Sequence, residues 1–82
     1  MKLLEISRGR IIIGYKDRRC IIQGEGLLLS ESNDISYIIY ANSMQWESPF
    51  EIIKITTNQK KTILDFVCQY FENKGQKIVI ES

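Results

Sequence analysis

Short apolar runs bounded by polar and glycine residues fill the first half of the chain, which predicts strands before any helix. Residues 3–6 predict a short first strand. Arg10–Lys16 and Arg19–Gln23 are both rich in isoleucine, so we expect a hairpin with its turn at Asp17-Arg18. The glycines of Gly24-Glu25-Gly26 interrupt the pattern, and we expect turn or bulge positions there.

The middle of the chain predicts one more strand and two irregular stretches. Leu27–Leu29 resume the apolar pattern, and Ser30–Asp34 read as a polar loop. Ile35–Ala41 is rich in β-branched and aromatic residues, which predicts a strand. Residues 42–50 should be irregular, because Pro49 cannot donate to a sheet ladder.

A single long helix is predicted in the second half. Thr56 and Gln59 have the spacing of a capping box, with Thr57 as an alternative cap. The next apolar residues recur at steps of three and four, as on one face of a helix of four to five turns: Ile63, Leu64, Val67, Cys68, Tyr70 and Phe71. Gly75 should stop the helix, and Lys77–Glu81 alternates as a last strand.

These elements predict an α+β fold made of one domain over residues 1–82. We expect an antiparallel-rich twisted sheet of four to five strands, with the long helix of the C-terminal half packed on one face. The isoleucine runs put apolar side chains on both faces, since neighbours alternate along a strand. Either a segment of the chain (Leu27–Leu29, or the loop with Met44, Trp46 and Phe50) or a partner should cover the second face.

Composition indicates an ordinary globular protein, with 44% hydrophobic and 26% charged residues and a net charge of +1. No run is apolar enough to span a membrane. Glu5 and Arg8 interrupt the apolar core that a signal peptide needs, so secretion is not indicated. Cys20 and Cys68 both lie in apolar runs, and we expect two buried thiols in a reducing cytoplasm rather than a disulfide.

Residue types that carry catalysis are scarce, and we expect neither an enzyme nor a cofactor. The chain has no histidine, and two isolated cysteines cannot supply a four-ligand zinc site. Its glycines fit neither the dinucleotide nor the phosphate-loop pattern. Glu25 and Glu47 are the best candidates for a carboxylate pair, but nothing in the sequence brings them together.

Charges are unevenly distributed along the chain. Six of the basic residues lie within residues 1–20, whereas residues 21–53 contain acidic residues and neither Lys nor Arg. If these segments lie apart in space, Glu25, Glu31, Asp34 and Glu47 form an acidic surface for a basic partner. The alternative is that they only solubilise loops. The basic hairpin with Tyr15 also has the residue types of a nucleic-acid site, but the small net charge argues against one.

Trp46 has two interpretations. It plugs the end of the core before the helix, or it anchors a partner in the interface. We favour the plug and keep Trp46 among the candidate contacts.

Several short motifs together resemble a known family. They are Gly24-Glu25, Tyr37-Ile38-Ile39-Tyr40-Ala41-Asn42-Ser43, Trp46-Glu47-Ser48-Pro49 and Ile55-Thr56, with Ile6-Ser7-Arg8-Gly9 before them and Lys77-Ile78-Val79-Ile80-Glu81 after them. Over nearly its whole length the chain resembles the bacterial immunity protein family numbered seventy-four in polymorphic toxin systems. The resemblance implies a cytoplasmic protein that binds and neutralises a cognate toxin, without cofactor or turnover.

We therefore expect an immunity protein that inhibits its toxin stoichiometrically through protein–protein contacts. The candidate partner-binding residues are Glu25, Glu31, Asp34, Trp46 and Glu47. One alternative is a small interaction module or structural protein that homodimerises through the second sheet face. The other is an RNA- or DNA-binding domain that uses the basic hairpin.

Overall fold

The computed structural model describes residues 1–26 and 37–81. Within these ranges the chain forms six strands, one α-helix and a 3-10 turn at Ala41–Ser43. In chain order they are β1 (Lys2–Ile6), β2 (Arg10–Tyr15), β3 (Arg18–Gly26), β4 (Tyr37–Tyr40), β5 (Gln45–Trp46), α1 (Thr57–Asn73) and β6 (Ile78–Glu81).

The strands form one mixed sheet in the order β1-β2-β3-β4-β6, with the short β5 also paired to β3. All pairs are antiparallel except β4 with β6, which are parallel. A parallel pair needs a long connection, and α1 lies within it. The predicted α+β fold with an antiparallel-rich sheet and one helix is confirmed. The sheet exceeds the predicted four to five strands because β5 forms inside the stretch predicted to be irregular.

The hairpin turn lies one residue earlier than predicted. Tyr15 pairs with Arg18, so Lys16 and Asp17 form a two-residue turn in which Lys16 has φ 56°. This register puts Ile11 opposite Ile22, with both side chains in the core. Burial of that pair selects the register, since a one-residue slip would turn these side chains to the other face.

The prediction of a turn or bulge at Gly24 and Gly26 is wrong, because β3 continues through both glycines and pairs with β4 in regular register. A Cβ on Gly24 would lie 2.6 Å from Cε1 of Tyr37 and would also overlap the carbonyl oxygen of Ile38. The Tyr37 ring thus occupies the space that a side chain would fill, and its hydroxyl donates to the Ser7 carbonyl at 2.8 Å. Glycine here permits close strand approach rather than a turn.

Both ends of α1 are fixed as the sequence predicts. The Thr56 hydroxyl accepts from the Gln59 amide at 3.1 Å, and the Gln59 side chain accepts from the Thr56 amide at 3.0 Å. Gly75, with φ 70°, donates to the Glu72 carbonyl, and Gln76 donates to the Phe71 carbonyl. These two bonds form a Schellman motif that terminates the helix.

The hydrophobic core lies between α1 and one face of the sheet. It contains ten buried residues: Ile11, Ile13, Cys20, Ile22, Tyr37, Ile39, Trp46, Ile63, Val67 and Phe71. Met44 and Phe50 pack against this same core. The loop that carries them therefore does not cover the second sheet face, contrary to one of the two expectations for this chain. The other candidate cover, Leu27–Leu29, lies outside the described residues.

Both cysteines are free thiols. Burial raises the pKa of Cys20 to about 12, partly offset by a hydrogen bond with the Gln45 backbone. Burial, together with Asp65 and Glu72, also raises the pKa of Cys68. In the described part of the chain, no helix has both the length and the hydropathy for a membrane crossing.

Candidate functional site

The sheet face opposite α1, here called the outer face, carries rows of residues fixed by the strand register. Lys2, Gly14 and Arg19 lie side by side on β1, β2 and β3 and form what we call the basic row. Further along, Ile12 lies opposite Ile21. Arg19 and Glu25 are six residues apart on β3, which separates them by about 20 Å.

Glu25 lies at the far end of the outer face and meets a tyrosine there. The Tyr40 hydroxyl donates to Oε2 of Glu25 at 3.2 Å, and Tyr40 pairs with Glu81 on β6. Desolvation raises the pKa of Tyr40, and the nearby charges of Glu25 and Glu81 raise it further. Glu25, Tyr40 and Glu81 together form what we call the acidic end.

Two predicted site residues, Glu31 and Asp34, lie outside the described residues. The described residues on either side of them are Gly26, which ends β3 next to Glu25, and Tyr37, which begins β4 and pairs with Gly26.

Glu47 lies with the basic residues and not with Glu25. Its amide donates to the Arg19 carbonyl at 2.7 Å, and its Oε1 lies 3.7 Å from Nη1 of Arg19. The basic segment (residues 1–20) and the acidic segment (residues 21–53) therefore meet at this point, because β5 pairs with the start of β3. Since Glu25 lies near the other end of β3, Glu25 and Glu47 do not form a carboxylate pair.

Trp46 is a core residue with 1% of its surface exposed. Cys20 pairs with it across β3 and β5, and the Tyr15 ring lies 5.6 Å away between centroids. Its Nε1 has no acceptor among the described residues. The indole fills the plug position and leaves almost no area for a partner. We therefore treat Trp46 as a core residue on which Tyr15 and Arg18 pack.

The Arg18 guanidinium lies within cation–π distance of two rings, those of Trp46 and Phe50. Its guanidinium carbon is 5.5 Å from the Trp46 ring centroid and 4.9 Å from that of Phe50. Stacking of this kind holds a cation at the surface while its flat faces are buried. Arg18 thereby joins the hairpin turn to the loop that follows β5.

That loop, residues 47–55, presents the most exposed large apolar side chain of the described residues. Phe50 donates to the Glu47 carbonyl at 3.0 Å, and Ile53 donates to the Phe50 carbonyl at 2.9 Å. Within the second of these turns Ile52 is 88% exposed, and Ile53 beside it is 41% exposed. We call this segment the Ile52 loop. Ile53 and Ile55 also line a shallow cleft of about 310 Å³.

Sequence reasoning missed Ile52, Tyr40 and Glu81. The alternation in β4 could have put Tyr40 on the same face as Ile38, but its meeting with Glu25 depends on the antiparallel pairing of β4 with β3. Glu81 joins them only through the parallel pairing of β4 with β6. Nothing in the sequence indicated that Ile52 is exposed, because isoleucine is among the residue types most often buried. Within residues 1–26 and 37–81, no group of three or more acidic, histidine or cysteine side chains could hold a metal ion.

Comparison with known proteins gives one family. Residues 3–81 match the family described as Immunity protein 74, which covers nearly the whole chain. No curated protein and no solved structure matches the chain.

Proposed function

Since the chain belongs to the Immunity protein 74 family, we propose that it binds a cognate bacterial toxin and neutralises it as a stoichiometric, non-enzymatic inhibitor in the cytoplasm. The family match over residues 3–81 carries this proposal. The toxin is a protein partner of the same polymorphic toxin system.

The Ile52 loop is the part of the described surface best suited to anchor the toxin. Interfaces gain most of their affinity from a few large side chains that become fully desolvated on binding. Ile52 has 88% of its surface to lose, and its loop is already held by two backbone hydrogen bonds and the Phe50–Arg18 stack. Such a preordered loop loses little conformational entropy when it docks.

The acidic end supplies a second, electrostatic contact. Glu25 on β3 is exposed, and Glu81 on β6 lies across Tyr40 from it. Glu31 and Asp34 belong to the connection that starts beside Glu25, so we keep both as proposed contacts. Glu47 stays a proposed contact apart from the acidic end, because it lies beside Arg19 at the other end of β3.

Titration against the toxin tests the stoichiometric mechanism. The toxin encoded next to this chain's gene is produced as its isolated toxic domain, and its residual activity is measured as the immunity protein is added. Inhibition should be complete at equal molar amounts. Protection by a small fraction of an equivalent would indicate turnover and contradict the proposal, as would no binding at all.

Replacing Ile52 tests the anchor. Ile52→Asp should weaken toxin binding by about tenfold or more, because it removes an apolar contact and buries a charge. Ile80→Asp is the matched control, since Ile80 is another exposed isoleucine but lies on β6. Calorimetry measures both affinities, and urea unfolding confirms that both variants fold. Equal losses, or none for Ile52→Asp, would refute the anchor.

A further inference from the structure

The basic end of the outer face is a second surface with defined chemistry. An open cleft of about 480 Å³ is lined by Lys2, Lys16, Arg18, Arg19 and Asp17, together with Met1, Leu4 and Gly14. The side chains that line it carry a net charge of +3, whereas the whole chain has a net charge of only +1. Positive charge is therefore concentrated in this cleft.

Gly14 opens the space between the cations. It lies between Lys2 on β1 and Arg19 on β3, so the two basic residues are two strand spacings apart, or about 10 Å, and Gly14 itself puts no side chain between them. Leu4 packs over this gap, with Cδ1 3.2 Å from the place where a Cβ of Gly14 would be, and forms an apolar floor between the cations. A bulge in β1 between Leu3 and Glu5 puts Leu4 there.

The charges of this cleft are available to a partner. Lys2 and Lys16 are exposed, and the Arg19 side chain is 60% exposed with its Glu47 contact as long as 3.7 Å. A surface pair of that length contributes little. The acidic end lies about 20 Å away, beyond the screening length of about 8 Å at physiological salt, so it does not cancel the local field.

We propose that this cleft binds an acidic, extended segment of the toxin, with an apolar side chain of that segment resting on Leu4; this rests on the proposed function. The cations around the gap receive the carboxylates, and the apolar floor of Leu4 and Met1 receives the side chain between them. Proteins that bind single-stranded nucleic acid usually add an exposed aromatic ring on which a base stacks. Tyr15, the aromatic residue next to the turn, instead packs against Trp46 and the core.

Together with the acidic end, the cleft sets the direction in which the toxin docks. A partner that has its acidic segment at one end and basic groups at the other fits in one orientation, and the reversed orientation opposes like charges at both ends. Arg18 lines the cleft and also stacks on Phe50 of the Ile52 loop, so one side chain contacts both surfaces.

Two double variants with the same change of net charge test the cleft. Lys2→Glu/Lys16→Glu reverses two cations of the cleft, and Lys61→Glu/Lys77→Glu reverses two exposed lysines outside it. The first should slow toxin association by about tenfold at low salt, with a smaller loss at high salt, whereas the second should change it about twofold or less. Stopped-flow mixing measures both rates. Equal effects of the two variants would overturn the proposal.

A peptide probe decides the cleft without the toxin. Glu-Glu-Leu-Glu-Glu is added to ¹⁵N-labelled protein, with Gln-Gln-Leu-Gln-Gln as the control. The acidic peptide alone should shift the amide signals of Lys2, Gly14 and Arg19, and Lys2→Glu/Lys16→Glu should abolish the shifts. Shifts spread evenly over all lysines, or stronger shifts of Gly14 with a single-stranded RNA, would overturn the proposal. If the toxin does not bind but the peptide does, the proposed function fails and the cleft stands.

Discussion

The two faces of strand β3 differ in what their residues do. Cys20, Ile22 and Gly24 point to the core face, where α1, Trp46 and Tyr37 enclose them. Arg19, Ile21 and Glu25 alternate with them on the outer face, where charge lies at both ends of the strand and isoleucine in the middle. Nine consecutive residues thus combine two roles, because side chains alternate with a period of two. One face encloses the core, and the other carries the charged ends that we propose as contacts.

The largest expected effect separates two neighbouring isoleucines of β3. Ile22→Ala should lower the free energy of unfolding by about 3 kcal/mol, because it opens a cavity in a closed core. Ile21→Ala should cost about 1 kcal/mol, since Ile21 is half-buried on the outer face. Urea unfolding measures both, with Ile22→Val as a milder variant if Ile22→Ala does not fold. Similar costs for Ile21 and Ile22 would contradict the division between the faces.

The next effect concerns the glycines that were predicted as turn or bulge positions. Gly24→Ala should destabilise by about 2 kcal/mol, because the new methyl group must displace the Tyr37 ring or the Ile38 backbone. Gly9→Ala is the control, since nothing lies within 4 Å of a Cβ there. We expect it to change the free energy of unfolding by less than about 0.5 kcal/mol. If Gly24→Ala is as mild as Gly9→Ala in urea unfolding, then Gly24 is not a close-approach position.

The smallest effect probes charge at the acidic end. Glu25→Gln should lower the pKa of Tyr40 toward its ordinary value, because a neighbouring carboxylate disfavours the phenolate. Desolvation and Glu81 remain, so part of the upward shift should persist. Phenolate absorbance against pH measures the change, and Tyr40→Phe identifies which transition belongs to Tyr40.

The sign of that shift also gives a pH dependence. Because the folded-state pKa of Tyr40 is raised, the folded chain keeps this proton longer than the unfolded chain does. The contribution is fully present below the ordinary tyrosine pKa near 10 and is lost as the pH rises through the folded-state pKa. Wild type should therefore lose more stability than Tyr40→Phe in strong alkali. Parallel losses would show that Tyr40 does not contribute.

Local signals predicted the elements that depend on neighbours in sequence. Thr56, Gln59 and Gly75 mark the helix ends, because capping and the left-handed stop need residues within one turn. The two isoleucine-rich runs on either side of a short polar turn likewise predicted the β2–β3 hairpin. The motifs that resemble an immunity family, including Trp46-Glu47 and Tyr37–Ser43, led to the family that residues 3–81 match.

The sequence by itself thus determined the helix with its caps, the hairpin, the α+β class and the family. Tertiary structure decided the parallel pairing of β4 with β6, the β5 contact that brings Glu47 to Arg19, the role of Gly24 beneath Tyr37, and the exposure of Ile52. The physical reason is range: a cap or a strand period is fixed by residues a few positions away. Which charges meet, and which glycine lies under a ring, depends on segments that only the folded sheet brings together.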